Sequence, residues 1–181
     1  MSVVAVIPAR MGSKRLPAKV IADIGGEPLF VHVASRVMAS NAVDRLIVAT
    51  DSDRIDALAQ AAGLETFRSR LPHETGSDRV AEAVQGIDAD VVLNVQADNA
   101  YLNPSIVRSV VGCFEEPEVR VATPVCPFPE EQDPQDSARV KVVVDAKGRA
   151  LYFSRQPVPH GGPWWLHVGV YGFRPSVLEA F

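Results

Sequence analysis

The sequence predicts an α/β protein: a mixed, mostly parallel sheet flanked by helices, with a β-hairpin in its second half. Two observations carry this. Residues 3–7, 46–49 and 91–95 are continuous apolar runs rich in β-branched residues rather than alternating ones, which is how strands covered on both faces read. Helix-like segments separate these runs, and strand–helix–strand alternation implies crossover connections and therefore parallel pairing.

The elements follow in order. After strand 3–7, residues 28–39 place Leu29, Val33, Val37 and Met38 at helical spacing. Strand 46–49 leads to residues 51–62, which open on Asp51-Ser52-Asp53, a cluster suited to capping a helix start. Residues 75–84 begin Thr-Gly-Ser-Asp and carry Val80, Ala83 and Val84. Past strand 91–95, Pro104 stands where a first-turn proline is tolerated and opens a helix through residue 114. The second half changes character, with strand-like runs at 119–125, 140–144, 151–154 and 168–173. Asp145-Ala146-Lys147-Gly148 joins two of these, so 140–154 reads as a hairpin with Gly148 in its turn. Residues 128–136 and His160-Gly161-Gly162-Pro163 read as loops. No clean linker interrupts the chain, so one domain over residues 1–181 is expected, ending just inside a helix.

A chain of 181 residues that is 47% hydrophobic suits a globular domain with a sizeable core. Its net charge of −4 argues against general binding to nucleic acid or to anionic membranes. Cys113 and Cys126 fit neither a metal spacing nor a disulfide framework, so reduced thiols are expected. The first apolar run is too short for a signal peptide or a membrane span, which makes the cytoplasm the expected location.

Against that acidic background, PARMGSKRLPAK (residues 8–19) sets Arg10, Lys14, Arg15 and Lys19 around Gly12 and Ser13, directly after a buried-looking strand. Small residues let the backbone approach a ligand, and the cations neutralise phosphate oxygens: a polyanion cradle. A solvated basic turn is the alternative. In a parallel sheet ligands bind beyond the carboxyl ends of the strands. Asn94-Val95-Gln96-Ala97-Asp98-Asn99 ends such a strand, which brings Asp98 to the same crevice. A carboxylate facing cations suggests phosphates bridged to Mg²⁺; a turn or cap residue before Pro104 is the plainer reading. Thr75, Gly76 and Ser77 at a helix start offer hydroxyls and free N–H groups to a base or phosphate. They also suit an ordinary cap, with Arg79 as a solvated helix residue.

PARMGSKRLPAK, ETGSDRVAEA, NVQADN, ALYFSR and HVGVYGFR together resemble, in order and spacing, the bacterial CMP-sugar synthetases, and most nearly the 3-deoxy-manno-octulosonate (Kdo) cytidylyltransferases. The resemblance spans nearly the whole chain. It implies a Rossmann-like nucleotidyltransferase fold and Mg²⁺-dependent transfer of CMP from CTP to the anomeric hydroxyl of an acidic keto-sugar, releasing pyrophosphate, in the cytoplasm and for lipopolysaccharide synthesis. On that resemblance Ala9, Arg10, Gly12, Ser13, Arg15 and Lys19 hold the nucleotide phosphates, with Arg10, Lys19 and Asp98 catalytic and Asp98 the metal ligand. Thr75, Gly76, Ser77 and Arg79 lie near the base and ribose. Gln96, Arg155, His167 and Tyr171 face the acceptor, where a guanidinium can grip a carboxylate through two parallel hydrogen bonds.

The resemblance is imperfect. The family's strand-end motif reads Gln-Gly-Asp-Glu-Pro, where this chain has Gln96-Ala97-Asp98-Asn99-Ala100. Ala97 is expected to restrict a backbone position that glycine leaves free, and Asn99 removes a charge beside the metal. Relatives continue through a late aspartate that completes the metal site, whereas this sequence stops at Phe181. The stretch from Pro159 to His167 is shorter than theirs, and since it contributes to their dimer contact, a homodimer is left open. Two further functions stay open: a degenerate homologue that binds nucleotide or sugar without turnover, and a cytidylyltransferase for a phosphonate or other non-sugar acid.

Overall fold

The computed structural model describes residues 1–12 and 18–178. Ser13, Lys14 and Arg15 of the basic loop fall outside the described residues. The chain divides into two compact units, Met1–Ala122 with Val170–Phe181, and Thr123–Gly169.

The first unit holds a six-stranded sheet of β1 (Val3–Ala9), β4 (Arg45–Thr50), β5 (Glu65–Arg68), β6 (Val91–Val95), β7 (Val121–Ala122) and β12 (Val170–Phe173), ordered β5-β4-β1-β6-β12-β7. The pairs β5–β4, β4–β1 and β1–β6 are parallel, whereas β12 runs antiparallel to both β6 and β7. Short strands β2 (Asp23–Ile24) and β3 (Glu27–Pro28) form a small separate hairpin. The helices are α1 (Leu29–Met38), α2 (Asp53–Ala61), α3 (Gly76–Ala83), α4 (Pro104–Gly112) and α5 (Pro175–Leu178).

Side chains alternate across a strand, so each strand feeds two cores. Ala5, Ile7, Val48, Leu93 and Val95 pack with Phe30, Val33 and Val37 of α1, Ile55 of α2 and Val107 and Val110 of α4. Val4, Val6, Ile47, Ala49 and Val92 pack with Val80 and Ala83 of α3 and Leu178 of α5. This double cover is why the sequence shows unbroken apolar runs. Burial of an Ile7-sized side chain, fully enclosed here, contributes about 1.5–3 kcal/mol. At Gly172 in β12 a Cβ would lie 2.6 Å from the Phe114 ring, just past α4, and 3.0 Å from Val110 on α4, so this end of α4 can reach the sheet only because that position has no side chain.

The expected helix starts are capped. Ser52 accepts from the Ile55 N–H and Asn103 from the Ser105 N–H, with Pro104 in the first turn. Thr75 and Asp78 exchange hydrogen bonds as a capping box. Met38 is exposed, because its place on α1 turns it from the sheet.

The second unit is a four-stranded antiparallel sheet of β8 (Val125–Pro127), β9 (Lys141–Val144), β10 (Ala150–Ser154) and β11 (Trp165–His167), ordered β10-β9-β11-β8. The β9–β10 hairpin is the expected one, with Gly148 at φ 76°. The run 119–125 is not one strand: it divides into β7 and β8, which belong to different sheets, and 168–173 shortens to β12. Both breaks fall where the chain passes from one unit to the other, which apolar runs do not mark. Fully buried Lys141 donates to the carbonyls of Asp136 (3.1 Å), Arg139 (2.7 Å) and Arg155 (2.8 Å), using all three ammonium protons. Burial pushes its pKa below the ordinary lysine value.

Candidate active site

In the first unit the predicted residues gather at the carboxyl ends of the parallel strands. Ala9 ends β1 in register with Thr50 of β4, and exposed Arg10 follows. The Ala18 N–H donates to the Met11 carbonyl at 3.2 Å, which ties together the two ends of the basic loop and sets Lys19 beside them. Ala18 itself holds a left-handed φ of 57°. Lys19 Nζ donates to Asp98 Oδ2 at 2.6 Å, with both side chains part-exposed. The cationic loop and the strand-end carboxylate therefore meet.

The start of α3 lies on the same ends. Pro8, Ala49 and Asn94 all fall on the sheet face that α3 covers. A Cβ on Gly76 would stand 3.3 Å from Pro8 Cγ, so a side chain there would crowd β1. Asn94 Nδ2 donates to Ser77 Oγ at 3.3 Å, and Tyr171 is the cross-strand partner of Asn94. Tyr171 stacks on Phe173, and burial pushes its phenol pKa up. Arg79 is not a solvated helix residue: it is 4% exposed and donates Nη2 to Asp51 Oδ2 at 2.6 Å, while Nη1 is buried with no hydrogen-bond partner among the described residues. That bond from Arg79 holds the Asp51 carboxyl below its usual range. Thr75 is exposed, with its hydroxyl engaged in the cap.

Gln96 is exposed and its carbonyl accepts from the Asn99 N–H at 3.3 Å, forming the turn that presents Asp98. Ala97 corrects an expectation. It has no positive φ, and its methyl is 5% exposed in the core, so alanine takes this position without strain.

Arg155 and His167 lie in the second unit. Arg155 is exposed and donates Nη1 to the Ser137 carbonyl at 2.7 Å. His167 Nε2 is 2.9 Å from Thr123 Oγ1, and the ring meets Phe153 edge-on at 5.6 Å. Burial lowers its pKa, so the imidazole is neutral at pH 7. A guanidinium at Arg155 is thus the permanent cation of this pair.

Sequence reasoning missed Asp51 and Asn94 as site residues. Asn94 was detectable as the one polar residue in VVLNV, since a buried polar group needs a reason. Asp51 was read only as a cap. A cavity of about 790 Å³ runs along α3, bounded by residues such as His73, Glu82, Val84 and Leu178. None of Lys19, Gly76, Ser77 or Asp98 lines it, so it is separate from the strand ends. Among the described residues no three His, Cys, Asp or Glu side chains cluster into a metal cage. Asp98 alone still suits a magnesium ion held mainly by substrate phosphates and water, which commonly takes only one or two protein carboxylates. No helix among the described residues is long and apolar enough to cross a membrane, and both cysteines are free.

A mostly parallel, doubly covered sheet with cations, a carboxylate and a capped helix start at its strand ends defines an α/β nucleotidyltransferase. The chain belongs to the cytidylyltransferase family, whose pattern it matches over residues 4–181. It is 42% identical over 185 residues to a 3-deoxy-manno-octulosonate cytidylyltransferase of Brucella anthropi, covering 97% of this chain and 74% of the relative. To the same-named protein of Chlorobaculum parvum it is 40% identical over 191 residues, covering 100% and 77%. The solved structure of a CMP:2-keto-3-deoxy-manno-octonic acid synthetase complexed with CTP superimposes with a TM-score of 0.92 at 36% identity, over 99% of this chain and 76% of that one.

Proposed function

We propose that the protein transfers CMP from CTP to the anomeric hydroxyl of 3-deoxy-manno-octulosonate, releasing pyrophosphate, for lipopolysaccharide synthesis. The observation that carries the reading is the 2.6 Å pair of Lys19 and Asp98 at the strand ends, beside the helix start formed by Thr75, Gly76 and Ser77. The names of the relatives and the CTP complex of the superimposed structure support the substrates.

In the reaction, the acceptor's hydroxyl oxygen bonds to the α-phosphorus of CTP. The bond from that phosphorus to the β-bridging oxygen breaks, pyrophosphate leaves, and the hydroxyl proton passes to solvent. Arg10 and Lys19 oppose the charge that builds on the phosphate oxygens, and Ala9, Gly12, Ser13 and the further loop cation Arg15 are assigned to the same phosphates. Thr75, Gly76, Ser77 and Arg79 position base and ribose. Asp98 would hold magnesium, which when bound neutralises and aligns the phosphates. By their chemistry Arg155 suits the acceptor's carboxylate, and Gln96, His167 and Tyr171 suit its hydroxyls.

The proposal includes the cytoplasm as location, one functional domain over residues 1–181, and a homodimer. Support for the homodimer comes from Leu151, Tyr152 and Phe153 on edge strand β10, which are 65%, 60% and 44% exposed.

The test is pyrophosphate release from CTP with Kdo and Mg²⁺. Release that needs all three supports the reading. CTP binding by calorimetry without turnover would favour the degenerate homologue, which the Asn99 and Ala100 substitutions motivate. Turnover with a phosphonate or non-sugar acid in place of Kdo would move the acceptor assignment.

A further inference from the structure

We propose that Asp51 reads the nucleobase, accepting a hydrogen bond from the exocyclic amino group of cytosine and rejecting uracil. This deepens the CTP reading above and rests on it.

Asp51 directly follows β4, whose last residue, Thr50, pairs with Ala9 at the end of β1. Asp51 and Arg10 thus leave neighbouring strands at one level. Period-two alternation continues from Ile47 and Ala49 to Asp51 and puts it on the face that α3 covers, where Gly76 and Ser77 meet Pro8 and Asn94. Arg79 reaches Asp51 from α3. The pair is asymmetric: the Arg79 side chain is 5% exposed, the Asp51 side chain 49%. An ion pair serving packing alone would enclose both partners. Here the guanidinium forms a floor and the carboxylate stays open above it. The neighbouring cation Arg68 pairs with Asp53 at 2.8 Å and adds its charge to that of Arg79 in keeping Asp51 ionised.

An ionised carboxylate only accepts hydrogen bonds. Position 4 of cytosine carries an N–H₂ donor, the group that Asp and Glu accept from when proteins read this base. Position 4 of uracil carries a carbonyl oxygen, which would face the carboxylate as acceptor against acceptor. A carboxylate at this place therefore separates the two pyrimidines by attraction to one and repulsion of the other.

The test compares CTP with UTP in wild type, Asp51→Asn and Arg79→Lys, by pyrophosphate release with Kdo and Mg²⁺. Wild type is expected to prefer CTP. Asp51→Asn, whose amide can donate to the uracil carbonyl, should shrink the CTP-to-UTP ratio of kcat/KM by about ten- to a hundred-fold, the scale of a hydrogen bond to a charged group. Arg79→Lys keeps a cation beneath the carboxylate and should lower both rates while keeping the preference. A merely structural Asp51 would lower both nucleotides by one factor, and an unchanged ratio in Asp51→Asn overturns the proposal, as does a wild type indifferent to the base. If the asparagine variant does not fold, Asp51→Ser carries the same expectation. Should wild type release no pyrophosphate, the reaction assignment fails by itself, and calorimetric CTP and UTP affinities of the same proteins still decide Asp51.

Discussion

Among the described residues each unit buries one cation, and the two are treated differently. Lys141, in the antiparallel unit, meets three carbonyls and leaves no proton unused. Arg79, in the parallel unit, meets one half-open carboxylate and leaves Nη1 without a partner among the described residues. Burying a charge costs several kcal/mol unless its hydrogen bonds are made. The lysine therefore reads as a staple that fixes the 136–139 loop to the chain after β10. The arginine, incompletely matched, belongs to a part of the molecule shaped for something other than its own stability.

Substitutions can break or sharpen this contrast. The largest effect is expected at the parallel unit's strand ends. Asp98→Asn should lower Mg²⁺-dependent turnover by about 10²–10³-fold, the scale of losing one preorganised electrostatic group, with the unfolding midpoint in urea little changed. Retained turnover would show that another group holds the metal. Lys141→Met should do the reverse, removing the buried donor shared by three carbonyls and costing about 1–3 kcal/mol of stability in denaturant titrations. A wild-type midpoint would remove the staple. Lys19→Ala should weaken CTP binding by about 1.5–3 kcal/mol in calorimetry, as for a charge-assisted hydrogen bond. Unchanged affinity would take Lys19 out of the site. Thr75→Ala should cost about 1 kcal/mol through the lost cap on α3, read as a lower melting temperature.

The smallest effect is on pH. The hydrogen bond from Arg79 lowers the pKa of Asp51, and the Thr75 backbone and hydroxyl lower that of Asp78. A carboxylate depressed in the folded state stabilises it fully above its unfolded value of about 4 and loses that contribution as pH falls through the lower folded value. The contributions of Asp51 and Asp78 should thus be flat from pH 7 to 5 and decline below about 4, while His167, depressed by burial, adds a loss of stability as pH falls through its unfolded value of about 6.5. The decline should be shallower in Asp78→Asn, as urea midpoints across that range would report.

Much of this was legible in the residues. Continuous runs at 3–7, 46–49 and 91–95 specified strands with two covered faces. The Asp51-Ser52-Asp53 cluster, Thr75 and Pro104 announced their helices because capping is local chemistry, whereas the Asn103 cap on α4 emerged only from the structure. The edge strand β5 was not detected, since Glu65–Arg68 carries too little apolar character to stand out. The division of 119–125 between two sheets escaped for another reason: both pieces are apolar, and their partners are chosen by residues far away in sequence. Within the site, the loop cations and Asp98 were visible as charges out of place. Asp51 was hidden by serving two readings at once, since an aspartate before a helix is ordinarily explained by its cap.

The Lys19–Asp98 contact has a thermodynamic consequence. On the proposed reading, a divalent ion approaching Asp98 without nucleotide must first displace the Lys19 ammonium from it. A triphosphate offers that group a partner, so nucleotide raises the ion's affinity, and by linkage the ion raises the nucleotide's by an equal factor. On that reading each guest helps to seat the other.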